Sequence, residues 1–241
     1  MNKKGQVTLF IILAIVIILV VASFFIFKDK LGIGGSKLNP GEVQIFVQDC
    51  LEKVSEEVVF GVGQGGGYFG VPEFSTINGI TYYYFEGENY FPSLVKIEEE
   101  VSKFVSEKLI ECTNNFTDFV DYSIDSKELE VETEIVENEV YVSVNYPLQV
   151  IKGEDKVLLK DFETSIDVKL GLIYQVVKKI VDEEPLAQGI CLSCNVQHSL
   201  ENNLEINYLD SDLTTTIFRI KEPETKFEFV FANDYSEENG I

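Results

Sequence analysis

The chain has 241 residues, a formal charge of −22 and an apolar fraction of 45%. That length supports one domain with a real core, or two small ones, and the apolar fraction excludes wholesale disorder. All 41 acids and 17 of the 19 Lys/Arg lie beyond residue 27, an excess of 24 negative charges. Such a surface excludes nucleic acid and other polyanions as partners, because phosphate binding needs clustered Lys/Arg. It is compatible with plain solvation or with cations and basic partners.

From Val7 to Phe27 no side chain is charged, and only Thr8 and Ser23 carry hydroxyls. At about 1.5 Å per residue this stretch makes a helix about 31 Å long, close to the roughly 30 Å hydrocarbon core of a bilayer. A secretory apolar region is shorter, about 7–15 residues, and a small-x-small cleavage site follows it. Here Phe24-Phe25-Ile26-Phe27-Lys28 follows. The segment therefore predicts a transmembrane helix over 6–27, with the lipid bilayer as its first partner. Lys3, Lys4 and the amino terminus precede it with no acid among them. The positive-inside rule places that end in the cytoplasm and the rest of a single-pass chain outside the cell membrane.

The opening "KKGQVTLFIILAIVIIL" resembles an archaeal class III signal peptide of the kind found on type IV pilin-like proteins. The resemblance implies a leader over 1–5, cleavage by a prepilin peptidase between Gly5 and Gln6, and retention of the apolar helix. It also implies other surface subunits as partners. The chain departs from the pilin pattern in two places. Phe10 stands at the fifth mature position, where many pilins carry Glu. "KLGIGGSKLNPGE" interrupts a helix that usually runs on unbroken, and reads as a linker over 28–40. The opening and outer domain also resemble uncharacterised archaeal membrane-anchored proteins, which implies no activity.

An outer domain is predicted over 41–235, with a flexible tail over 236–241. "NPGEVQIFVQDCLEKVSEEVVF" starts a helix: Asn39 suits the cap, Pro40 the first helical position and Glu42 a capping box. Val43, Phe46, Val47, Cys50, Leu51, Val54 and Val58 share one face. "GVGQGGGYFG" ends it. "FSTINGITYYYF" reads as a hairpin with a type I′ turn at Asn78-Gly79. "PSLVKIEEEVSKFVSEKLIEC" is a second amphipathic helix, with Leu94, Ile97, Val101, Phe104, Val105, Leu109 and Cys112 on its apolar side. "LEVETEI" and "VYVSVNY" alternate as strands around the turn "VENEV", with Val140, Val142, Val144 and Tyr146 inward. One wet and one packed face imply an antiparallel sheet. "KVLLKDFETSIDVKL" adds a strand, and "LGLIYQVVKKIVDEE" a third helix stopped before Pro185. "NLEINYL", "TTTIFRI" and "KFEFVFA" supply late strands. The order predicts an α+β domain of antiparallel sheet with about three amphipathic helices.

In an outward compartment the four cysteines predict disulfides. Cys50 and Cys112 each sit on an apolar helical stripe, so a bridge between the two helices is plausible; Cys191 and Cys194 of "CLSC" can then close on themselves. Sequence alone leaves all three pairings open. A four-cysteine zinc site normally wants two close pairs, and there is one, so no metal is expected. A redox Cys-x-x-Cys belongs after a strand at a helix start. This one follows "EPLAQGI" and precedes polar sequence that reads as loop, including the single histidine, His198. Gly61, Gly63 and Gly66 fit G-x-G-x-x-G, but without the strand before and the helix after that a dinucleotide site needs; they read as a flexible turn. No G-x-S-x-G is present, and no spacing of acids singles out an acid–base pair. "TYYYFEGENYF" concentrates aromatics. Alternation sends Tyr82 and Tyr84 one way and Tyr83 and Phe85 the other, one set packing and the other offering a binding surface for a glycan or protein. Tyr82, Tyr83 and Tyr84 are the candidates. Asn115-Phe116-Thr117 is an N-glycosylation sequon.

Together these features lead to a single-pass cell-surface protein of structural or binding type, a pilin-like component, with no catalytic residues and no cofactor. The alternative is a signal-anchored receptor or adhesion module that never assembles. An extracytoplasmic enzyme comes third. No residue identifies the ligand.

Overall fold

The computed structural model describes residues 39–187, 190–210 and 214–236. The expected leader, the apolar segment, nearly all of the linker and most of the tail lie outside the described residues. Among the described residues no helix is long and apolar enough to cross a membrane.

The first helix, α1 (Pro40–Gln64), begins as its sequence indicates. Asn39 is non-helical (φ −114°, ψ 82°) and Pro40 takes the first turn, where its missing N–H is no loss. The Asn39 amide donates to Glu42 Oε1 (3.2 Å) instead of its oxygen capping a backbone N–H. The stripe Val43, Val47, Cys50, Leu51, Val54 and Val58 is buried. The helix then runs through Gly61 and Gly63, which are packed and not a flexible turn. A Cβ on Gly63 would stand 2.6 Å from Glu228 O and 2.7 Å from the Phe227 ring. Glycine costs a helix about 1 kcal/mol relative to alanine; here it lets α1 approach a strand closely.

Two sheets share the core. One has the order β2 (Glu88–Asn89), β1 (Tyr82–Phe85), β9 (Glu228–Asp234), β8 (Thr215–Lys221), β7 (Glu205–Asp210). In the other, the long strand β5 (Val140–Lys152) pairs along one edge with β4 (Glu130–Ile135) and then β3 (Ser123–Ser126). Its other edge pairs with β6 (Asp155–Ile166). β5 alternates as predicted, with Val140, Val142, Val144, Tyr146, Leu148 and Val150 buried. Its Pro147 falls where the β5–β6 register shifts between Asn145 and Leu148. A residue without an N–H is tolerated in an inner strand only at such an interruption.

Helix α1 lies against β6 and β9, and α2 (Leu94–Thr113) lies beside α1 and against β4, so the helical pair bridges both sheets. Ser93 caps α2, its Oγ accepting from Lys96 N (3.1 Å). Asn114, left-handed at φ 43°, ends it. Cys50 and Cys112 join the two helices in a disulfide, with Cα atoms 5.9 Å apart.

The fold is α+β and its sheets are mostly antiparallel, but several local expectations change. Asn78-Gly79 does not form the type I′ turn. Only Gly79 has a positive φ there (79°), and Gly79 N bonds Thr76 O (2.8 Å). That is a three-residue loop over 77–79 that ends in one left-handed residue, one residue longer than a type I′ turn. The turn with two positive φ values is Glu86 (52°) and Gly87 (82°), joining β1 to β2. β1 pairs parallel with β9, a contact across most of the chain that no local pattern announces. Helix α3 (Leu170–Ala187) continues past Pro185 instead of stopping before it. A fourth helix, α4 (Leu192–Asn202), forms where a polar loop was expected.

Gly171, in the first turn of α3, lies under the β4–β5 loop. A Cβ there would stand 2.3 Å from Val136 O and 2.7 Å from its carbonyl carbon. Because the obstacle is backbone, Gly171→Ala is expected to destabilise by about 2–3 kcal/mol, as an overpacked core does. The measurement is a lower urea midpoint at unchanged slope.

Candidate functional site

The aromatic run splits as alternation requires. Tyr83 is fully buried and therefore not part of a binding surface, contrary to its place among the candidates. Its ring stacks on Phe231 (4.7 Å between centroids), and Phe231 stacks on Phe218 (4.8 Å), giving an aromatic ladder across β1, β9 and β8. Its hydroxyl donates to Gly66 O (2.9 Å), and burial raises its pKa well above the usual phenol value. Tyr82 and Tyr84 are half-buried. Tyr84 lies toward Tyr235 (6.5 Å), and Tyr82 lines a cleft.

That cleft has a volume of about 180 Å³ and is lined by Tyr68, Pro72, Glu73, Phe74, Thr81, Tyr82 and Tyr90. Its parts come from three places: the turn after α1, the bend over 72–74, and the β1–β2 hairpin with its exit. Tyr82 N bonds Phe74 O (3.0 Å), Tyr90 N bonds Tyr83 O (2.8 Å), and Thr81 Oγ1 donates to Gly65 O (2.6 Å), which ties the three together. Phe74 stacks on Tyr90 (4.1 Å) although Phe74 is exposed. Nearby, Val71 and Ile77 are also exposed. The Tyr68 hydroxyl is raised in pKa by burial, partly offset by Lys96, so it stays a neutral hydrogen-bonding group at neutral pH. Sequence reasoning marked Tyr82 and missed Tyr68, which the chain reversal at Gly65–Gly67 brings alongside, and Phe74, which the Ser75–Thr81 pairing sets beside it.

A second concavity, about 700 Å³, runs between α1 and β6 and includes Gln48, Glu52, Glu56, Phe60, Asp167 and Lys226. Gln48 Nε2 closes one end, donating to Glu52 Oε1 (3.0 Å) and Glu163 O (2.9 Å). Among the described residues, no group of His, Cys, Asp and Glu is arranged to hold a metal ion.

Cys191 and Cys194 form the second disulfide, with Cα atoms 5.3 Å apart. Their motif opens a helix: Cys191 is the N-cap of α4. His198 lies one turn beyond Cys194, buried in the helix and not in a loop. Its Nε2 is 3.1 Å from Glu183 Oε2 on α3, and its Nδ1 is buried with no hydrogen-bond partner among the described residues. Asn115 is exposed and left-handed (φ 50°) after α2, leaving its side chain accessible. Gly5 and Gln6 lie outside the described residues.

Comparison with protein-family models, with curated proteins and with solved structures gives no match.

Proposed function

We propose that the chain is a single-pass surface protein whose apolar segment holds an acidic binding domain outside the membrane, and that the domain recognises cationic side chains of a basic partner. The observation that carries this reading is the cleft of Tyr68, Phe74, Tyr82 and Tyr90 with Glu73 among its lining residues. Aromatic faces attract cations through the ring quadrupole, by about 0.5–2 kcal/mol per site. A carboxylate beside them, on a domain with an excess of acids, adds the same preference. Two disulfides among the described residues support an oxidising, outward compartment.

The test is an NMR titration of the full chain in detergent micelles with a short arginine-rich peptide. Shifts are expected at the amides of 68–82 and 90. Tyr82→Ala and Glu73→Gln should each weaken binding about three- to tenfold. An acidic peptide of equal length that binds as well would overturn the reading.

A pilin-like subunit is the second reading, favoured by the Gly5-Gln6 leader. Against a shaft position stands the non-helical Asn39, which separates α1 from any preceding helix. If the peptidase acts, mass spectrometry finds a mature chain starting at Gln6. If the protein is displayed and not assembled, shearing the cells leaves it chiefly in the membrane fraction.

A further inference from the structure

The two disulfides occupy different surroundings. Cys50 is buried between α1 and α2. Cys191 and Cys194 are half-buried and open to solvent. They close only the first turn of an 11-residue helix.

Cys191 is the N-cap of α4, and no side chain caps the helix there. Its carbonyl accepts the first helical bond, from Asn195 N (3.0 Å). An N-cap side chain is normally the acceptor for the free N–H groups of the first turn. A Cys191 thiolate would fill that role, stabilised by the helix dipole as well. Ser193 Oγ already lies 3.7 Å from Cys191 Sγ. The first turn of α4 carries no acid to oppose a negative sulfur.

Two further observations bear on the same place. His198 follows Cys194 by four residues, and helical side chains lean back over the preceding turn. That spacing puts the two residues on one face of α4, and His198 Nδ1 is buried without a hydrogen-bond partner among the described residues. With Nε2–H donating to Glu183, Nδ1 is an acceptor. On the outer side, Leu192, Val196 and Leu200 form an apolar stripe at helical spacing, exposed by 55%, 56% and 79%. A stripe of this kind on the reactive helix marks a contact surface for apolar side chains.

We propose that Cys191–Cys194 is a thiol–disulfide exchange site whose partner is a polypeptide dithiol with apolar residues beside its cysteines. A partner thiolate attacks Cys191 Sγ, the Cys191–Cys194 bond breaks, and its electron pair leaves on Cys194, which takes up a proton. The mixed disulfide at Cys191 is then resolved by the partner's second thiolate, releasing the Cys191 thiolate to the helix N-terminus. The partner loses two electrons and becomes a disulfide; Cys191 and Cys194 gain them. In the reverse direction His198 Nδ1 accepts the Cys194 thiol proton. Leu192, Val196 and Leu200 hold the partner's apolar side chains.

The experiment uses the oxidised full chain in micelles, exposed without denaturant to increasing dithiothreitol, then alkylated and mapped by mass spectrometry. Alkylation of Cys191 and Cys194 is expected while Cys50–Cys112 stays closed. Opening of both pairs together would overturn the proposal. Next, Cys194→Ser, with Cys191 activated as a mixed disulfide, is offered a cysteine peptide with apolar flanks or the same peptide with serine flanks. The apolar peptide should react about tenfold faster, and the advantage should vanish in L192S/V196S/L200S, whose changes are all on exposed residues. Equal rates for both peptides on the unsubstituted stripe would overturn the partner assignment. Equal reactivity of Cys191→Ser through Cys194 would overturn the order of attack.

Discussion

Tyr83→Ala is expected to destabilise the domain by about 4–6 kcal/mol, enough to leave many domains of this size largely unfolded. Tyr83 has no exposed surface and packs against Phe231, Phe91 (5.0 Å) and, more distantly, Phe229 (6.3 Å). Truncating a buried aromatic ring to alanine costs about 3–5 kcal/mol through lost transfer energy and the cavity left behind. The lost hydroxyl adds to that, because Gly66 O is left without its donor in a buried place. Tyr83→Phe separates the two effects: the ring stays, and about 1–2 kcal/mol should be lost with the hydrogen bond. The check is urea denaturation of the full chain in micelles, followed by near-ultraviolet circular dichroism. If Tyr83→Ala lost no more than Tyr83→Phe, the ring would not be a keystone of β1.

The same residue shows how far the sequence could be read. Alternation correctly separated Tyr82 and Tyr84 from Tyr83, because strand side chains point to opposite faces by geometry alone. It could not say which face was core. That depended on β1 pairing with β9, whose residues lie some 150 positions away (Tyr82 opposite Ala232). The Cys50–Cys112 bridge was legible only as one of three pairings: both residues lie on apolar stripes, and it is the packing of α1 on α2 that selects it. The long amphipathic elements were legible from their stripes. α4 was not: Asn195, His198 and Ser199 are indifferent helix formers, and its apolar stripe faces solvent. β3, four mostly polar residues, owes its existence to the free edge of β5. The cleft was half-legible, since its Tyr82 and Tyr90 belong to the aromatic run while Tyr68 arrives by the chain reversal after α1 and Phe74 by the Ser75–Thr81 pairing.

The two disulfides should differ sharply in what they contribute to stability. Cys50 and Cys112 are separated by 62 positions, Cys191 and Cys194 by 3. A cross-link stabilises mainly by restricting the unfolded chain, and the restriction grows with the logarithm of the loop. The long loop is worth about 4 kcal/mol on that account, the short one about 2 at most. The surroundings widen the gap. The first bridge pins α1 to α2, and these helices together cover both sheets. The second joins neighbouring residues of one helical turn at the edge of the domain, and the helix without it keeps its packing on α3 and β7. Cys50→Ala with Cys112→Ala should therefore lower the melting temperature by about 8–16 °C, at the usual 2–4 °C per kcal/mol for a domain of this size. Cys191→Ala with Cys194→Ala should lower it by less than half as much. Both double variants are read by the same thermal scan at matched protein concentration. Equal losses would mean that the α4 bridge is structural after all, and would also remove the ground for treating its opening as a local event.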